Sequence, residues 1–506
     1  MAGILDTLGV GLDRLIAIIA PIRAQKRMIA RSRMDILRQY AAAKSNRLTG
    51  PWSPVNQNVN QLIASSSGAV RARVRQLVRD FPYFARAVSV LVDHTAGSGF
   101  HFQAKIRGPD GKLNRSLNQQ IEDAWWRWCE EADIAGKLHF HDICRLTKRQ
   151  DVESGEYFVV MNELKPNGSR FLPFALQVFE SDWLSSQYDT YPSSGPVEIY
   201  QGVEYEKASG RILAYHFTDP DAYRKAIRVP ASRVIHGFET FRPNQLRGIS
   251  PFTPAVLVAH DLGEFMDAEL DAAKLAAKWL AFVETGDLAG YQSLRAETDP
   301  NTGHRVEQIE NAIIEYLRPG EKISLSSYNR PGDSFEPFTK LILRMVAVTV
   351  GVSYELLSGD YQDLNYSVLR GIRNDLLQAF RPIQARHIRQ ICVPVHRRFM
   401  DALAVSNRIP TDYFSNPIPY LRCQWLAPGT PPVDPLKEGR AEADAISNLL
   451  KSPQEVTAAR GRDYEEVLDE IQAARQMQQD RELDVNGTSK SAKTNPASLM
   501  DEGVSP

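Results

Sequence analysis

Two short stretches of this 506-residue chain bring chemically versatile side chains close together. In LHFHD, His139 and His141 stand two residues apart with Asp142 adjacent, the spacing that puts two imidazoles on one face of a strand. Zinc needs a third and usually a fourth ligand, and none stands at a recognisable spacing. Cys129, Cys144, Cys392 and Cys423 are scattered and form no CxxC pair. Ordinary polar contacts, with no metal, are the expectation. In ESGEYF, Glu153 and Glu156 form a potential acid/base pair, but the simpler reading is a turn at Gly155 leading into a strand. GxSxG, Walker A and GxGxxG motifs are absent. No nucleophile, base and oxyanion hole assemble, so no catalytic residue or cofactor is expected.

Charge divides the chain. The formal net charge is −1, with 43% apolar and 24% charged residues, ordinary values for a soluble globular protein. From Arg14 to Arg107 the charges are mainly basic, with Arg71, Arg73, Arg75, Arg79 and Arg86 among them, whereas Asp261 to Asp271 and the tail beyond Glu438 lean acidic. Segments of opposite sign suggest surfaces with different tasks. The basic run reads as a nucleic-acid arm or as a solvated helix face; the acidic run reads as a solvated face or as a wall past which DNA slides without being gripped. The cysteines are expected to be reduced intracellular thiols. An apolar patch at Leu15 to Ala20 is too short and too interrupted for a signal peptide or a membrane span, and a short amphipathic helix is expected there. The protein is expected to stay in the cytosol, or in something assembled there.

The elements that must position these groups read as α+β and predominantly helical, with no regular βαβ alternation. Residues 1–45 read as helix and 45–70 as a polar linker. Helical spacing returns from Arg71 to His94. HFQAKI, a GPDGK turn and a helix carrying Trp125, Trp126 and Trp128 follow, then strand-like runs at EYFVV (156–160), FALQVF (174–179) and RILAYHF (211–217). From Thr253 to Val283 one helix is expected, roughly 45 Å long at 1.5 Å per residue. It is rich in alanine and carries Asp261, Glu264, Asp267, Glu269 and Asp271. Small residues of this kind let helices approach closely. An irregular segment (284–335) precedes a second apolar helix, Glu336 to Val350. The polar loop SGDYQDLN (358–365) leads into a long helical stretch, Tyr366 to Val405, kinked or broken at Pro382 and Pro394. Beyond Pro428 a further helical region reaches about Gln479, and the last residues should be disordered.

The series RPGDSFEPFTKLILRMVAVTVGVSYELLSGDYQDLNYSVLRGIRNDL, followed by CQWLAPGTPPVDPLKEGRAEADAI, resembles the lambda-type family of phage portal proteins. The matching pieces are a PG-x-x-F element, a helix ending in GV-x-YE-x-L, NYS-x-x-R and W-x-x-P…DP-x-KE. Looser matches keep the same order upstream: the tryptophan helix, VESGE at 152–156 and RG-x-SPF-x-P at 247–254. The family often has a second serine after NYS, where this chain has Val368, so no role is carried to that position.

The resemblance implies the portal fold of wing, stem, clip and crown, in a ring usually of twelve subunits. Residues 1–70 would be a basic arm and linker, 71–250 the wing, 251–283 the first stem helix and 284–335 the clip. The second stem helix would be 336–352, the tunnel loop 353–365, the long kinked helix with its return to the wing 366–435, the crown 436–480 and the tail 481–506. Ser358, Gly359, Asp360, Tyr361, Gln362, Asp363 and Asn365 would face DNA. Asp261, Glu264, Asp267 and Asp271 would be candidates for the channel lining, with Lys340, Arg344, Arg370 and Arg373 as the nearest basic groups for phosphate. Implied partners are further copies of the chain, double-stranded DNA, the large terminase subunit, head-tail connector proteins, and major capsid and scaffold proteins, with no membrane. The implied location is the portal vertex of the virion, reached from the host cytoplasm. The enzymatic alternative is a metal-dependent DNA-processing protein using Glu153, Glu156, His139 and His141.

Overall fold

Apolar periods of 3.6 and of 2 alternate irregularly along the chain. The computed structural model has the corresponding α+β character and describes residues 56–165, 170–218, 225–283, 297–298, 300–301, 305–309, 312–316, 335–362, 364–429 and 434–480. The expectations for residues 1–45 and 481–506 lie outside the described residues.

The 45–70 linker is shorter than the composition suggested, because helix α1 spans Val59–Asp80. Ser65 and Ser66 turn their hydroxyls back onto the Leu62 carbonyl, which suppresses their usual competition with the helix. Ile63, Val74 and Val78 supply the buried stripe. The Asn60 side chain accepts from Leu246 N at 2.8 Å and donates to Asn244 O at 2.9 Å. Phe81 interrupts the helical run, and α2 (Pro82–Thr95) restarts with proline in its first turn, where the missing N–H costs least.

Next come β1 (His101–Ala104), α3 (Arg115–Cys129), α4 (Phe140–Glu153), β2 (Glu156–Glu163), β3 (Phe174–Phe179), β4 (Val197–Tyr200), β5 (Val203–Glu206), β6 (Ile212–Phe217), β7 (Ile227–Pro230) and β8 (Val234–Phe238). The antiparallel sheet β3-β2-β8 has β2 at its centre, and β4 to β7 form a second antiparallel sheet. Strand β2 is buried on both faces. Tyr157, Val159 and Met161 join one core, while Phe158 and Val160 join another, as a period of two requires.

The long helix expected over 253–283 is shorter. A 3-10 turn at Thr253–Ala255 leads into α5 (Val256–Lys278), and residues Trp279–Val283 are strand β9. Strands β10 (Glu297–Thr298), β11 (Arg305–Ile309) and β12 (Ala312–Tyr316) follow, and β9 is one edge of their sheet, parallel to β12. A five-residue apolar run satisfies both periods, so WLAFV alone did not decide between helix and strand.

Helix α6 is Phe335–Val350, close to expectation, and α7 (Tyr354–Ser358) occupies part of what read as loop. Helix α8 (Tyr366–His387) runs through Pro382. The break lies at a π-turn, Ile388–Cys392, before α9 (Val393–Val405), with Pro394 in the first turn. Strand β13 (Cys423–Leu426) pairs antiparallel with β1, and α10 (Pro435–Ser447), α11 (Pro453–Ala459) and α12 (Tyr464–Asp480) follow. Among the described residues no helix is long and apolar enough to cross a membrane.

One core gathers around the tryptophans. Phe102, Phe140, Phe399 and Trp425 ring Trp125 at 5.0–5.3 Å, and Trp128 stacks on Phe174 at 5.2 Å. A second core joins α1, α2, the start of α5, α6, α7 and α8.

Two histidines are sealed in this interior. Burial pushes both His387 and His396 down to about 4. The folded state keeps them neutral while an unfolded chain protonates them below about 6.5. Stability from these groups is therefore complete above about pH 6.5 and falls as the pH drops toward 4. Urea midpoints measured from pH 7.5 to 4.5 are expected to decline, and the decline should be shallower in His396→Phe.

Candidate channel interface

The two chemistry-bearing stretches lie at opposite ends of one helix. His139 caps α4, its Nδ1 accepting from His141 N at 3.1 Å, so LHFHD begins a helix and is not a strand. The cap is local chemistry, since a side chain just before a helix satisfies an orphan N–H. His141 is pushed down to about 4 by burial, with His139 adding to the effect. Glu153 ends the same helix, which places it about 18 Å from His141 at 1.5 Å per residue. A metal ion holds its ligands within about 2.3 Å, so these groups do not share one. Glu153 also pairs with Arg149 at 2.6 Å. Magnesium with plasmid DNA should therefore leave the plasmid intact, and Glu153→Gln should leave that unchanged on an agarose gel. Among the described residues, one other cluster has metal-ligand types, His260 with Asp261 and Glu264. It is exposed on α5, with contacts of 3.7 Å suited to loose ion pairs.

Glu156 has a different task. Its carboxylate is buried and receives Arg247 Nε at 2.9 Å on both oxygens, Gly248 N at 2.8 Å and His236 Nε2 at 3.1 Å. Burial alone would raise this carboxyl, but the Arg247 charge and the bonds from His236 and Arg247 outweigh it and hold the group well below the usual carboxylate range. Arg247 also donates to the Gln201 and Ser181 carbonyls. VESGE and RG-x-SPF thus meet across the fold, glycine against glycine: a Cβ on Gly155 would lie 2.1 Å from Ile249 C, and one on Gly248 2.0 Å from Gly155 O. Nearby, Arg71 and Arg75 grip Asp182 at 2.7 and 2.8 Å. These two members of the basic run hold α1 to the turn before Leu184. Sequence reading found both motifs but not that they bind each other.

The loop after α6 is built from local bonds. Ser353 caps α7 by accepting from Leu356 N at 3.3 Å, and Gly359 closes the helix with φ +73°. Ser358 Oγ donates to Tyr354 O and accepts from Asp360 N. Asp360 lies 3.6 Å from Lys340 and accepts from Tyr354 Oη and Gln362 N. Lys340 is thus already engaged, with Glu336 at 2.7 Å as well. Tyr361 and Gln362 are exposed, Asp363 lies outside the described residues, and Asn365 caps α8 by accepting from Val368 N at 3.0 Å. Arg370 is exposed. Arg373 is half-buried and pairs with Glu438 of α10 at 3.1 Å. On α5, Asp261, Glu264, Asp267 and Asp271 are all exposed, while Val256, Ala259 and Leu262 are buried.

The family model for phage portal proteins of the lambda family matches residues 45–384. A probable portal protein of Halomonas phage phiHAP-1 is 26% identical over 461 residues, 87% of each chain. Portal protein B of Escherichia phage lambda is 22% identical over 458 residues, covering 82% of this chain and 85% of that one. The portal protein of Escherichia phage N15 is also 22% identical, over 471 residues, with the same coverage. Among solved structures, a chain from the neck of an empty gene transfer agent particle shares 14% identity with a TM-score of 0.43, over 77% of this chain and 92% of that one. Matched by that family model over 340 of its 506 residues, the chain belongs to the lambda family of phage portal proteins.

Proposed function

We propose that copies of this chain close into a ring of about a dozen subunits at one vertex of a tailed-phage capsid, and that double-stranded DNA passes through it during packaging and ejection. The family match over most of the chain carries this reading. Large side chains left in solvent also support it, among them Leu341, Val348, Tyr361 and Tyr366, because cyclic symmetry buries one such patch many times over. In a ring each exposed charge becomes a band. The loop at Ser358–Asn365, with Asp360, Tyr361 and Gln362 at its tip, would then approach the DNA without gripping it strongly. The 284–335 segment would be the clip that meets the large terminase subunit during packaging and head-tail connector proteins later. Residues 71–250 would be the wing, meeting the capsid shell and scaffold, and 436–480 the crown. The subunits would be made in the host cytoplasm and retained in the virion.

The test is native mass with negative-stain imaging of the purified full chain. A closed ring of about twelve copies around a central hole supports the reading. A monomer or dimer at micromolar concentration, unmoved by salt or by added capsid protein, overturns it.

A further inference from the structure

Strand β1 pairs with β13 on one side only, which leaves backbone groups open along its other edge. Two side chains of α3, four residues apart and so on one face of the helix, close that edge. Asn118 Oδ1 accepts from Ile106 N at 3.0 Å, and Glu122 Oε1 accepts from Ala104 N at 2.7 Å. Glu122 is half-buried. It lines a cleft of 340 Å³ whose far wall is the entry to α12, with Asp463, Glu465, Glu466 and Asp469.

Charge, rather than packing, holds α12 against this edge. None of its residues is buried and none joins a hydrophobic core, while Leu468, Ile471 and Met477 stay in solvent. Its contacts across the cleft are His101 with Glu466 at 3.4 Å, Lys105 with Asp463 at 3.8 Å and Arg115 with Glu465 at 3.9 Å. Long, partly exposed pairs of this kind contribute little each. The His101 pair attracts only while the imidazole is protonated. Carboxylates therefore outnumber cations in the cleft, and Glu122 stands among them. Burial pushes its carboxyl up to about 7; the Ala104 N–H and Lys105 pull it back, and Asp463 and Glu466 add to the rise.

We propose that α12 is a proton-gated strap, lying on the α3–β1 edge while the Glu122 carboxyl is protonated and lifting when that group ionises. The device works within one chain and does not rest on the ring reading. An ionised Glu122 sets a poorly hydrated carboxylate against Asp463 and Glu466, and lifting α12 lets water reach it. Because docking raises the affinity of Glu122 for a proton, protons favour the docked strap, and docking weakens as the pH climbs through about 7. His101 acts in the same direction, since its hold on Glu466 is lost when the ring is neutral.

Single-molecule energy transfer in the full chain tests this, with dyes on Asp123→Cys and Met477→Cys. Cys423→Ser keeps the labelling specific, the other three cysteines being buried. The ratio of lifted to docked α12 is measured with Glu122 and with Glu122→Gln at the same pH, and the first is divided by the second. That quotient should rise about threefold to tenfold from pH 6 to pH 8. The amide keeps an oxygen for Ala104 N but has no proton to lose, so a merely structural Glu122 leaves the quotient flat. A flat quotient overturns the proposal, and so does a helix docked throughout. Glu466→Gln leaves α3 untouched and keeps the test decisive if the Glu122 variant misfolds. Its own change in lifting from pH 6 to pH 8 should be smaller than that of the wild type, and an undiminished change overturns the assignment to this cleft.

Discussion

Arg247→Met is expected to destabilise the fold by about 3–5 kcal/mol, the usual effect of removing one partner from a buried ion pair. The side chain lost is the main countercharge of Glu156, whose own surface is sealed from water. His236 does not compensate. Burial lowers its affinity for a proton, its Nε2 already serves Glu156, and its Nδ1 has no partner. The pH dependence distinguishes this account from simple loss of packing. In the wild type the Glu156 carboxyl is held below its ordinary range, so its contribution is complete at neutral pH and is lost as acid protonates it. In the variant the carboxyl faces burial with only His236 and Gly248 N, and it takes up a proton on folding. The deficit against wild type, measured by urea unfolding, should therefore narrow from pH 7 to pH 5. Glu156→Gln combined with Arg247→Met should recover part of the loss, because an uncharged amide leaves no bare carboxylate. A deficit constant with pH would indicate that packing around Arg247, rather than its charge, is what the fold needs.

The sequence revealed local order better than long-range partnership. FALQVF is a strand over the six residues it suggested, and the tryptophan helix stands where its spacing put it. Both signals lie within one element. Misreadings arose where a short run suited two states. WLAFV reads as the end of a helix, but pairing with β12 makes it a strand, and VNQLIASSSG reads as linker although Asn60 and Ile63 anchor it as helix. The Glu156 site shows what one-dimensional reading lacks. Both motifs were visible, but Arg247 is 91 residues from Glu156, and no spacing rule links such positions. For the proposed channel, the acidic residues and the loop were legible as types and places. Their surroundings were not: Arg373 is occupied by Glu438 and Lys340 by Glu336 and Asp360. The exposed face of α6 is not legible in the sequence, because its apolar pattern looks like core.

Gly155→Ala should be among the most damaging single methyl additions at the described glycines, and a comparison with Gly210→Ala isolates the reason. Both glycines have positive φ, +86° and +70°, so both alanines incur backbone strain of about 1–2 kcal/mol. At Gly210 nothing lies within 4 Å of the new Cβ, whereas at Gly155 it would meet Ile249 Cα and C and Ser250 N at 2.1–2.4 Å. Those atoms are backbone and cannot rotate aside as a side chain would. Separating the two loops would also strain the Gly248 N–H bond to Glu156 and the Ser250 hydroxyl bond of 2.7 Å to Val152 O. Steric overlap and loss of buried hydrogen bonds therefore act together, where overpacking alone commonly costs about 1–3 kcal/mol. Soluble yield and thermal midpoint should drop slightly for Gly210→Ala and collapse for Gly155→Ala. Equal effects would mean that conformation, not close approach, fixes glycine at 155. The joint so tested connects the β-sheet region to the start of α5. Two glycines facing each other thus set how closely the sheet region seats against the segment that enters α5.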